Sequence, residues 1–208
     1  MANFEAEGGT TRDDLVQRVA LMEEMIAEGR QSTARFGWCF VLWGVITLIG
    51  IGCQYFQPNS YWDLPVVSAV GIVIQLIGIA IRRRSGHTSN KNMQSRAIAA
   101  VWGMTGLAMV VYLGPGIMMH ATGWFFYVPT IFMFLGLAHA ISAIILRWWV
   151  QGVVAGLWWA GEIAVCFFAF DYMRKIFVAE MVVCMVLFGL YAMWLERRRA
   201  AALEQHHA

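Results

Sequence analysis

Residues 124–147 read WFFYVPTIFMFLGLAHAISAIILR. The stretch opens on an indole, runs on without an Asp, Glu or Lys, and closes on Arg147. A helix rises about 1.5 Å per residue, and about 20 apolar residues cross the hydrocarbon core of a bilayer. Residues 124–146 therefore read as a transmembrane helix with a base at its edge. The same pattern recurs on both sides, with further spans expected at 36–56, 62–81, 97–119, 148–170 and 176–194. The expected fold is all-α: a polytopic membrane protein with six transmembrane helices.

Composition agrees. The 208 residues are 60% hydrophobic and 13% charged, against about 25% charged in soluble domains. Six spans consume most of the length, so no second globular domain is expected. The organisation divides into a leader (1–35), a helical bundle (36–195) and a basic tail (196–208). The leader is polar and no cleavable signal is expected in it. Trp38, Trp62, Trp124, Trp148, Trp149 and Trp194 fall at span ends, where an indole bridges hydrocarbon and headgroups. The four cysteines, Cys39, Cys53, Cys166 and Cys184, lie inside apolar spans without CxxC spacing. They read as small buried residues.

The loops set an orientation. Of the 15 Lys and Arg residues, all but Arg174 and Lys175 fall on one side of the six-span arrangement. The positive-inside rule puts that side, with both termini, in the cytoplasm. The expected location is the cytoplasmic (inner) cell membrane. Basic residues gathered at membrane edges, not along a groove, speak against a nucleic-acid surface.

Thr11-Arg12-Asp13-Asp14 in the leader has the chemistry of a helix start. Leu15, Val19, Met22 and Ile26 then share one face, which predicts an N-terminal cytoplasmic amphipathic helix. Its acids, Asp13, Asp14, Glu23, Glu24 and Glu28, argue against docking on anionic headgroups. They favour packing on the bundle, on a second copy or on another protein.

Leu42-Trp43-Gly44, Val101-Trp102-Gly103 and Leu157-Trp158-Trp159-Ala160-Gly161 recur at a spacing of about 57–59 residues. The repeat is weak, and it suggests three tandem helical hairpins. Gly152, Gly156 and Ala160 form a small-residue stripe on the fifth helix, a surface that admits a second helix closely. It is a candidate contact for a homo-oligomer or a membrane-protein partner, as is the leader helix. Gly114-Pro115-Gly116 is expected to end the third helix.

Polar groups at membrane depth cost about 2.5–3.5 kcal/mol when ionisable, so each needs an account. Gln75 and His139 precede Arg82 and Arg147 by seven and eight residues, a depth of about 10 Å. They read as an interhelical polar contact or a proton stop. Glu162 and Glu180 flank Arg174 and Lys175, which are expected in a loop between the last two spans. The four could form an ion-binding vestibule. Other chemistry finds no assembly. His120 lies about 28 Å along the axis from His139, so no histidine pair suits a haem. No cluster has metal-ligand spacing. Ser68 and Ser142 stand outside any nucleophile motif. No catalytic residue, cofactor or metal is expected. The residues predict a non-enzymatic accessory, regulatory or structural membrane component. The alternative is a small transporter or channel with a protonatable site at Glu162 and Glu180.

Overall fold

A computed structural model describes residues 14–22, 37–56, 63–84, 93–118, 124–167 and 170–207. Every described residue outside the turn at Arg147 and Trp148 is helical. The elements are α1 (14–22), α2 (Gly37–Phe56), α3 (Asp63–Arg84), α4 (Met93–Met118), α5 (Trp124–Leu146) and α6 (Trp149–Phe167). A final continuous rod comprises α7 (Phe170–Glu180), a π segment (Met181–Leu187) and α8 (Phe188–His207). Five stretches are long and apolar enough to cross a membrane: Gly37–Phe56, Arg96–Pro115, Phe126–Leu146, Trp149–Phe167 and Tyr172–Arg198. A shorter apolar run, Val66–Ile81, lies in α3. The molecule is a helical bundle suited to a bilayer.

Helix α2 packs on α3 on one side and on the π segment and α8 on the other. Helix α5 packs on α6 and α4, and α6 packs on α7. Helix α4 is peripheral. It leaves Met104, Leu107, Val110, Val111 and Tyr112 exposed, and little of its apolar stretch Arg96–Pro115 is buried. Helix α1 exposes Leu15, Val19 and Met22, and an Asp14–Arg18 ion pair of 3.0 Å links its turns. Residue 26 and the rest of the predicted leader helix lie outside the described residues.

Two departures from the sequence reading have local causes. Pro115 lies inside α4, which runs three residues further to Met118. Proline removes one backbone donor but does not forbid helical φ, and so near an end only one intrahelical bond is lost. Arg174 and Lys175 are on α7, not in a loop. Met173 and Phe177 beside them are buried, and that apolar pair holds the turn helical despite the adjacent charges.

The α5–α6 connection is minimal. Arg147 takes a left-handed conformation, φ 47°. The Arg147 N–H donates to the Ile144 carbonyl at 3.3 Å and the Trp148 N–H to the Ala143 carbonyl at 3.0 Å. This is the Schellman pattern of helix termination, and α6 starts at the next residue.

The π segment answers a register problem. Met173, Phe177, Met181, Met185 and Gly189 are all buried. They advance four residues at a time, more than the 3.6 of an α-turn. On a plain helix that stripe drifts around the surface. A wider turn absorbs the surplus and keeps Met185 and Phe188 on α2. There α2 and α8 meet backbone to backbone. A Cβ on Gly189 would lie 2.7 Å from the Gly37 carbonyl oxygen, and one on Gly37 would lie 2.8 Å from that of Gly189.

Candidate functional site

The predicted site residues fall into three separate places. Gln75 belongs to the α2–α3 contact. Its Oε1 accepts from Trp43 Nε1 at 2.7 Å. Gly71 and Gly78 on the same stripe sit under Ile46 and Trp38, with a built Cβ meeting Ile46 Cδ1 at 2.5 Å and Trp38 Cη2 at 2.6 Å. The spacing 71, 75, 78 puts all three on one face, so a polar residue between two glycines lets α3 lie close on α2.

His139 belongs to the core between α2, α4, α5 and α8. It is fully buried. Phe40 stacks on it with centroids 5.6 Å apart. Trp102 and Phe188 meet it edge-on at 4.9 Å and 5.2 Å. Phe40 in turn contacts Trp102 and Phe188 at 4.8 Å and 5.3 Å. Edge-to-face rings at these separations stabilise beyond their buried area. Four rings from four helices thus close one junction.

Glu180 belongs to the contact between α6 and the last rod. Its Oε2 accepts from the Cys184 thiol at 3.0 Å. Its Oε1 lies 2.9 Å from the position a Cβ would take on Gly161. Glycine at 161 is therefore what lets the carboxylate reach α6. Glu162 is the next residue, at the same height but turned a third of the way round the helix, and half-buried. Arg174 and Lys175 lie about 8–9 Å below Glu180 along α7. Lys175 Nζ rests 5.3 Å from the Tyr172 ring centroid. The two acids share a level, and the two bases lie more than a turn away from it.

Gly152, Gly156 and Ala160 are exposed on α6. A Cβ on Gly156 would meet nothing within 4 Å. Among the described residues no group of three or more His, Cys, Asp and Glu could hold a metal ion.

Sequence reasoning passed over Gln151. It is fully buried, like His139 and Ser142. Its polarity inside an apolar span was the only signal, and its position near a span end concealed its burial. The aromatic partners of His139 left no signal at all, because their convergence comes from four different helices. The chain matches no family model, no curated protein and no solved structure.

Proposed function

We propose that the chain is a non-enzymatic, multi-pass component of the cytoplasmic membrane, an accessory or structural subunit with six spans and both termini in the cytoplasm. Helix α3 supplies the sixth crossing: its 22 residues reach about 33 Å. The observation that carries the reading is the dispersal of polar groups at depth. Gln75 is held by Trp43, Glu180 by Cys184, and His139 is walled by Phe40, Trp102 and Phe188. Such groups serve as helix–helix contacts and do not line one path. The exposed faces of α1 and of α6 at Gly152, Gly156 and Ala160 supply surface for a second copy or another membrane protein.

The test is purification from native membranes in a mild detergent, with affinity tags at either terminus. The expected result is a defined stoichiometric partner or homo-oligomer, with tags that protease cannot reach from outside intact cells. A lone monomer that conducts ions in vesicles would overturn it.

A second reading is a proton-coupled carrier centred on Glu180 and Glu162. What favours it is the π segment beginning directly after Glu180, since such bulges recur at functional sites. Its test is a pH-jump flux assay in sealed vesicles with Glu180→Gln and Glu162→Gln. Flux that both variants abolish supports the carrier, and absence of wild-type flux removes it.

A further inference from the structure

His139 and Ser142 on α5 and Gln151 on α6 have zero exposure. Five of their side-chain atoms, His139 Nδ1 and Nε2, Ser142 Oγ, and Gln151 Oε1 and Nε2, have no hydrogen-bond partner. Trp102 Nε1, on the ring that meets the imidazole edge-on, has none either. His139, Ser142 and Gln151 all lie in the parts of α5 and α6 nearest their connecting turn. His139 and Ser142 are three apart and so lie on one face of α5. The hairpin brings Gly136 against Trp159 and Ala143 against Gly152. That register puts Gln151 level with residue 144, within one turn of Ser142. Arg147, at the bundle's end, is five residues from Ser142, about 8 Å along the axis.

A bare buried polar atom costs the full desolvation of that group. Six such atoms compete with the net stability of an ordinary domain. The groups therefore require partners, and the site defines what those can be. Phe40, Trp102 and Phe188 pack directly against the imidazole, and a small ligand suits such a setting best. The rings that meet it from α2, α4 and α8 are all uncharged. A neutral imidazole, a hydroxyl and a carboxamide each donate and accept, and the indole donates. The matching ligand is small, uncharged and able to do both.

We propose that His139, Ser142 and Gln151, with Trp102 Nε1, form an internal water-binding site at the α5–α6 turn end of the bundle. Buried waters typically make about three hydrogen bonds to such groups, and this set supplies donors and acceptors from three helices. The site is local.

The test is water-edited solid-state NMR in bilayers on a protein whose only histidine is His139. The chain has five histidines, and His87→Gln, His120→Gln, His206→Gln and His207→Gln leave His139 as the remaining one. With ¹⁵N-histidine labelling, magnetisation from water should reach the His139 ring several-fold faster than it reaches the amides of Val128 and Phe132. Ser142→Ala, which removes one oxygen without adding bulk, should slow that transfer several-fold, and Gln151→Leu likewise. A His139 ring as dry as Val128, or one bonded directly to the Gln151 amide, overturns the proposal. Transfer that neither variant changes also overturns it.

Discussion

The α2–α8 crossing makes a sharp quantitative demand. Replace Gly189 by alanine and the new methyl sits 2.7 Å from the Gly37 carbonyl oxygen, 2.8 Å from Val41 Cγ2 and 3.0 Å from the Val41 amide nitrogen. Two of these three are backbone atoms, so no rotamer change relieves them. The helices must part by about half an ångström, and that gap propagates to the Met185 and Phe188 contacts on α2. Overpacking of this kind costs about 1–3 kcal/mol. Gly37→Ala meets the Gly189 carbonyl at 2.8 Å and should cost a similar amount. The two changes address one contact, so the double variant should lose less than the sum. The control is Gly156→Ala, where the added methyl meets nothing within 4 Å. There the helical preference for alanine over glycine should raise stability by about 0.5–1 kcal/mol. The assay is equilibrium unfolding of the purified protein in mixed micelles, followed by tryptophan fluorescence and circular dichroism. Should Gly189→Ala prove as stable as wild type, or Gly156→Ala lose as much as Gly189→Ala, the backbone-to-backbone crossing is wrong.

Other consequences are independent of that crossing. Trp43→Phe or Gln75→Leu alone strands a half-buried partner and should each destabilise the protein, while a double-mutant cycle should return a coupling of about 0.6–2 kcal/mol; zero coupling would remove the bond. At the α5–α6 turn, Arg147→Gly should raise the unfolding midpoint by relieving a left-handed residue, and Arg147→Val should lower it, because a β-branched residue tolerates that conformation worst; equal midpoints would contradict the turn geometry. A membrane-permeant maleimide should label the exposed Cys53 and Cys166 in the folded protein and reach buried Cys184 only after denaturation, as read by mass spectrometry. Gly156→Leu should disperse any oligomer or partner complex built on α6 while leaving the unfolding midpoint near that of wild type, a split visible by size-exclusion chromatography beside the unfolding assay.

Much of the architecture is determined by one-dimensional chemistry. A run such as 124–146 is apolar but for a few side chains such as His139 and Ser142, and its peptide groups find partners only within a helix when lipid surrounds it. Length and apolarity therefore locate the helices within a few residues, including the ends at Phe56, Leu146 and Phe167. The distribution of arginines supplies an expected orientation for the same reason: it depends on counts at loop positions, not on how helices touch. Periodicity could also propose which residues share a face, as at 71, 75 and 78.

The pairing of faces is a different quantity. Lipid tails are as apolar as leucine side chains, so hydropathy does not distinguish a residue facing lipid from one facing another helix. Only the packed bundle decides that Gly156 looks outward while Gly161 receives Glu180, although both are small residues on one helix. It also decides that Trp43 bonds Gln75 whereas Trp102 lies against His139, though both tryptophans stand in the same Trp-Gly context. The π segment is tertiary in origin too. Nothing in Met-Val-Val-Cys-Met-Val-Leu asks for a wider turn; it arises where the buried face of the last rod passes from α6, beside α7, to α2, beside the π segment and α8.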